Sequence, residues 1–174
     1  MGMDVYGLNP KRNTAKPKIL IEYMDDEGWT DWEKLGKNNT KDKDGNTVYS
    51  KEWNEYIAAK EAWDEDNPGR YFRNSVWWWR PLWDYVCTIC HDILDKEDHD
   101  NGHSNSGHQI SEKKAIAIAG RIDLFIKNGD AADYAKERQS IKESAGIDSS
   151  YSFDLENLEW FGKFCEQSGG FEIC

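Results

Sequence analysis

Positive charge is scarce in this sequence. Lys and Arg number 22 against 33 Asp and Glu, giving a formal net charge of −11. Non-specific binding to phosphate backbones needs clustered Lys and Arg, so direct DNA binding is not expected. An acidic, solvated surface fits, and it permits a basic protein partner or an acidic mimic of nucleic acid. Long apolar runs are missing too. No stretch approaches the ~18 residues that read as a membrane span, so no membrane partner is expected. The opening MGMDVYGLNPKRNT has no apolar signal core, and Tyr6 stands where an N-myristoylation motif needs Ser or Thr. A cytoplasmic protein is the expectation. Cysteines number four, at Cys87, Cys90, Cys165 and Cys174, and in a reducing cytosol they are most simply free thiols. Catalytic signatures are absent: no G-x-S-x-G, no P-loop, no HExxH and no paired HxT or HxS tetrapeptides. Enzyme activity is therefore not indicated, and no cofactor is expected.

Aromatic residues are plentiful. Hydrophobic residues make up only 38% of the 174, yet 13% are aromatic, which argues against disorder. Nine tryptophans carry the apolar load. Each large ring can bury roughly 150–250 Å², so a few suffice to build one core in a chain this polar. The length suits a single domain, with Lys11–Pro68 as an insertion-like elaboration.

Residues 1–17 show no regular pattern. KILIEYM (Lys18–Met24) is rich in β-formers and reads as a strand. The next stretch reads as loop or irregular hairpin, turning at Gly28, Gly36 and Asp44-Gly45. DKDGN superficially resembles a calcium loop. Twelve positions on from Asp42, however, stands Trp53 and not the closing Glu, which excludes it. Ser50 is placed to cap a helix over Lys51–Asp66 with Trp53, Ile57 and Ala58 on one side and Trp63 a turn and a half later. Pro81 fits the first turn of a second helix, whose stripe is Leu82, Val86, Ile89 and Ile93, flanked by Trp83, Cys90 and Leu94. Trp77–Arg80 then approach it in an extended or irregular path, because a residue before proline is pushed toward extended geometry. Asp95–Gln109 reads as a polar loop. Ser111 caps a helix through Lys127, with Ala115, Ile118, Ala119, Ile122 and Ile126 on one face, closed by Asn128-Gly129. Asp130 opens another helix to about residue 145, stopped by the glycine at 146. Asp154 caps a last one with the face Leu155, Leu158, Phe161 and Cys165, before a terminal strand FEIC. The fold class is α+β: mainly helical, with a few short strands.

Four stretches together resemble a poorly characterised family of small proteins of bacteriophages and related mobile elements. They are MDVYGLNP (Met3–Pro10), GRYFRNSVWWWRPLW (Gly69–Trp83), NGHSNSGHQI (Asn101–Ile110) and FDLENLEWFGKFCEQSGGFEIC (Phe153–Cys174). The resemblance implies a phage-type context without a settled activity. Some relatives carry paired CxxC motifs before the closing segment. This chain has no cysteine between Cys90 and Cys165, so that zinc module does not carry over.

The densest chemical signal is NPGRYFRNSVWWWRPLWDYV (Asn67–Val86). Trp faces stack on bases for roughly 1–3 kcal/mol each, and Arg offers phosphate a two-pronged donor. The candidate ligand-binding set is Arg70, Tyr71, Phe72, Arg73, Asn74, Trp77, Trp78, Trp79 and Arg80, joined by His103 and His108 from the polar loop. The opposing reading makes the rings core and pairs the arginines with acids. On a strand, Trp77 and Trp79 would share one face and Trp78 the other. One or two of the three, with Arg73 and Arg80, are thus expected to face away from the interior. The leading functional reading is a phage-type, non-catalytic protein that captures a nucleotide-like small molecule and so sequesters a host-defence signal.

The alternatives use other residues. All four histidines fall at His91, His99, His103 and His108, behind Cys87 and Cys90 and among Asp92, Asp95, Glu97, Asp98 and Asp100. A metal-dependent phosphodiesterase or nuclease would draw on them. Cys87-Cys90…His99-His103 spaces C-x2-C-x8-H-x3-H, shorter than the usual zinc finger. The third reading is an acidic inhibitor of a host protein. Exposed tryptophans would also serve a homo-oligomer interface.

Overall fold

A computed structural model describes residues 2–144 and 151–174. The elements in chain order are β1 (Gly2–Gly7), α1 (Lys18–Glu22), α2 (Trp32–Gly36), β2 (Thr40–Lys41), β3 (Thr47–Val48), α3 (Lys51–Asp66) and β4 (Tyr71–Ser75). Then follow α4 (Val76–Ile89), α5 (Lys96–Asn101), β5 (His108–Ile110), α6 (Glu112–Lys127), α7 (Asp130–Ser144), α8 (Leu155–Gln167) and β6 (Phe171–Ile173). The class is α+β, predominantly helical. The chain forms two compact units, Met1–Lys11 with Pro68–Cys174, and Arg12–Asn67.

The first unit is built on an antiparallel sheet of order β4-β1-β6-β5. The opening segment is a strand in it, contrary to the patternless reading. Its M-D-V-Y alternation is short but real: Met3 and Val5 are buried, while Asp4 and Tyr6 face outward. Phe72, Phe171, Ile173 and Ile110 complete the inner face. Against it lie α4, α6 and α8, contributing Trp79, Leu82, Trp83, Ile118, Ile122, Leu158, Phe161 and Phe164. A ring burying ~200 Å² at ~25 cal/mol/Å² adds up to ~5 kcal/mol, so this aromatic cluster dominates the unit's stability.

Helix caps appear where the sequence places them. Ser50 Oγ accepts from Trp53 N–H at 3.1 Å, Ser111 Oγ from Lys114 N–H at 3.4 Å, and Asp154 Oδ1 from Asn157 N–H at 2.8 Å. Leu82, Val86 and Ile89 are buried as the α4 stripe requires, and Ile93 packs at its margin. Leu155 is exposed, and the apolar face of α8 runs instead through Leu158, Phe161, Phe164 and Cys165. The expected end of α7 lies outside the described residues.

The second unit corrects two expectations and keeps a third, the hairpin that turns at Asp44-Gly45. Lys18–Glu22 is a helical turn and not a strand, with Leu20 packed into a small core with Leu35, Tyr56 and Trp63. Burial of that leucine outweighs the segment's β propensity, which is a weak and context-dependent preference. In α3 the buried rings are Tyr56 and Trp63, while Ala58 is exposed. The stretch between holds α2 and a β2–β3 hairpin. At its tip Asp42 Oδ1 accepts from the backbone of Asp44 and Asn46, at 2.9 and 2.8 Å, so its carboxylate serves the turn.

One local test of this frame concerns Gly120, in the middle of α6. A Cβ there meets nothing within 4 Å. Gly120→Ala is expected to raise unfolding free energy by about 0.8–1 kcal/mol, the helix-propensity difference, in a urea titration. A loss of stability would show that α6 is covered at this point.

Candidate functional site

The aromatic block does not approach α4 in an extended or irregular path. It is the first two turns of α4, and Pro81 lies inside the helix. Proline has no N–H to give the carbonyl four residues back. That carbonyl, Trp77 O, accepts instead from Ser152 N–H at 3.3 Å. The orphaned acceptor is thus satisfied from outside the helix, and the helix can begin five residues before its proline.

Helical geometry, not strand alternation, then sorts the rings. Trp79 and Trp83, four apart, share the buried face. Both are 0% exposed and stack at 5.5 Å with an interplanar angle of 10°. Trp79 Nε1–H donates to Gly102 O at 2.7 Å. Trp77 and Trp78 point away from the core at 46% and 37% exposure. Trp79 and Phe72 are therefore core residues, at 0% and 8% exposure.

The remaining candidates fall into four places. Tyr71 and Arg73 lie on the outer sheet face. There Tyr71 Oη bonds Asp4 Oδ1, Arg73 Nε stands 3.5 Å from the same carboxylate, and the Tyr6 and Tyr71 rings meet at 5.2 Å. Burial and the Asp4 hydrogen bond push the Tyr71 hydroxyl up from its ordinary pKa. Arg70 precedes β4 and is half-buried. Arg80 belongs to the open side of α4. Its Nη1 donates to Tyr151 Oη at 2.8 Å, and Trp77 meets the Tyr151 ring edge-on at 4.8 Å. Asn74 joins Trp78 in a shallow groove of about 170 Å³ lined also by Asp154, Glu156, Asn157 and Trp160. Asn74 Nδ2 donates to Asn157 Oδ1 at 3.0 Å across its floor, and Trp160 is 56% exposed.

The histidines do not converge. His103 Nε2 lies 3.0 Å from Asp84 on α4, with the His99 ring 5.8 Å away. Burial holds the His103 imidazole below its ordinary pKa, against the pull of the Asp84 carboxylate. His108 Nε2 instead meets the buried Asp98 at 3.0 Å. His91 Nδ1 lies 3.2 Å from Thr88 O. Cys87 and Cys90 are buried, and that burial pushes both thiols up to about 12. Among the described residues no three His, Cys, Asp or Glu side chains are grouped as metal ligands.

The polar loop hides an organised network. Asp95–Gln109 contains α5, opened by a capping box in which Asp95 and Asp98 each accept from the other's backbone N–H. Lys114 Nζ reaches Asp95 at 2.7 Å and also bonds Asp98. The Lys114 and backbone hydrogen bonds hold the Asp95 carboxyl at about 2, and Arg121 likewise depresses Asp92. Carboxylates with depressed folded pKa values add stability above their unfolded values of ~4 and lose it as pH falls toward the folded ones. Melting temperature is therefore expected to drop between about pH 4 and 2, and Lys114→Gln to flatten that limb. A variant with the same acid limb as the parent would remove the network from the account.

Two exposed aromatic features were missed by the sequence reading. Trp160 lies outside the central block, and its signal was an apolar residue off the buried face of α8. In the second unit Tyr49 stacks on Trp53 at 4.9 Å, and Trp32 meets Trp53 at 5.7 Å. Tyr49 stands just before the Ser50 cap, and that position was the available signal. No protein-family model, no curated protein and no solved structure matches the chain.

Proposed function

We propose that this chain is a non-catalytic binding protein whose partner is another protein, engaged through the aromatic face where α4 meets α8. The carrying observation is the exposure of Trp77, Trp78 and Trp160, at 46%, 37% and 56%, in the unit whose other tryptophans, Trp79 and Trp83, are fully buried; Trp29 and Trp32 are exposed in the second unit. Trp is the residue most enriched at energetic centres of protein interfaces. An open face with a shallow groove suits a protein surface better than an enclosed small-molecule site, which typically has roughly 300–1,000 Å³. In the phage-type context implied by the sequence resemblance, the partner is a host protein, and the net charge of −11 favours a basic one.

A second reading keeps the nucleotide-like ligand. Its support is the trio Trp77, Tyr151 and Arg80, which offers an aromatic edge and a guanidinium side by side. Calorimetry with ADP-ribose and cyclic nucleotides separates the two. Binding lost in both Trp77→Ala and Arg80→Ala favours the nucleotide, and no heat from any of them removes it. For the protein reading, affinity capture from a bacterial lysate is compared between the parent and a Trp78→Ala/Trp160→Ala variant. A captured protein lost only in the double variant is the expected result. Equal capture by both would overturn the assignment of the face.

A further inference from the structure

We propose that the groove between Trp78 and Trp160 is a receptor for a single arginine side chain of the partner. This rests on the protein-binding reading above and specifies its chemistry. The size fits first. About 170 Å³ is below the roughly 300–1,000 Å³ typical of small-molecule sites, so the groove suits a side chain better than a nucleotide.

The lining fits next. Two exposed indoles border the groove, and a guanidinium is the cation that most often pairs with an indole face. The charged groups that line it are both carboxylates, Asp154 and Glu156. Among the described residues no lysine or arginine borders it. The nearest basic residues in sequence are turned to other work: Arg73 stands 3.5 Å from the Asp4 carboxylate, Arg80 bonds Tyr151, and Lys163 pairs with Glu159 at 2.9 Å. A guanidinium presents parallel N–H donors that a carboxylate accepts pairwise. The amides of Asn74 and Asn157 are bonded to each other, so the floor is set before a guest arrives.

The α8 N-terminus opposes a cation, because its unpaired N–H groups amount to roughly half a positive charge. Two full carboxylate charges exceed that. Asp154 also spends one oxygen capping the helix, at 2.8 Å to Asn157 N–H, which reduces the opposing field. An anion in this groove would meet both carboxylates. The phosphate of a nucleotide is therefore the wrong guest here, whatever happens at Arg80.

The test uses the full chain, labelled with ¹⁵N at its indoles and assigned by Trp→Phe variants. The probes are N-acetyl-arginine methylamide, its neutral citrulline analogue and AMP. The arginine probe is expected to shift the Trp78 and Trp160 signals together and saturably, at least about fivefold more tightly than citrulline. Glu156→Gln should weaken it by about fivefold, and so should Asp154→Asn, which keeps a capping oxygen. Equal response to citrulline, or a preferential response of these two indoles to AMP, overturns the proposal. Partner capture that depends on Trp78 and Trp160, with no response to the arginine probe, defeats this inference and leaves the binding reading standing. Loss of both defeats both.

Discussion

Trp79→Ala is expected to lose about 3–5 kcal/mol of stability, and Trp78→Ala, one position away, to stay within about 1 kcal/mol of the parent. The difference follows from the helix. Trp79 is fully buried, stacks on Trp83, meets Phe161 edge-on at 5.6 Å and gives its N–H to Gly102 O. Truncation opens a ring-sized cavity and leaves that buried carbonyl without its donor, an added cost of about 1–3 kcal/mol where nothing replaces it. Set against a typical total of about 5–15 kcal/mol, the loss leaves the unit marginal or unfolded. Trp78 has no such partners and is 37% exposed. Urea titrations of the two variants read the contrast directly. Comparable losses would mean that the register of α4 is wrong.

The second large effect is expected at Gly102. A Cβ there would lie 2.1 Å from Trp83 Nε1, 2.2 Å from Cε2 and 2.6 Å from Cζ2. The backbone at Gly102 is right-handed helical, with φ −64°, so an alanine meets no conformational objection. Reduced freedom of the unfolded chain even favours it by about 0.4–1 kcal/mol. Sterics decide the sign. The indole below is 0% exposed and clamped against Trp79, so it has nowhere to retreat. Overpacking of this kind costs about 1–3 kcal/mol, and more where the obstructing group is fixed. Gly102→Ala should therefore lower the urea midpoint while Gly120→Ala raises it. The same substitution with opposite signs separates packing from propensity. A stabilising Gly102→Ala would contradict the contact between α5 and α4.

What the sequence made legible is what short-range chemistry determines. Ser50, Ser111 and Asp154 announce their helices because a side-chain oxygen beside an apolar period has one efficient use. The α4 stripe from Leu82 onward is equally local. The start of α4 was not. Pro81 reads as a first-turn residue unless another segment supplies the missing donor, and Ser152, seventy-one positions away in sequence, does so. Extending α4 backward changed which tryptophan is buried. Strand alternation pairs Trp77 with Trp79, while the helix pairs Trp79 with Trp83. The arginines were dispersed for a similar reason. Tyr71–Ser75 is strand and Arg80 is helix, so Arg73 and Arg80 leave the block in different directions. Trp160 could not be assigned to the site from its position, because only the packing of α8 beside α4 places it across from Trp78.

One tryptophan of the WWW run is core, and its neighbour is the recognition surface proposed above. Indole N–H exchange into D₂O, followed by ¹⁵N-resolved NMR on the intact chain, tests it most directly. The Trp79 signal, buried and bonded to Gly102 O, should persist, while Trp78 and Trp160 exchange at once. Rapid exchange at Trp79, or protection at Trp78 equal to it, would contradict the account.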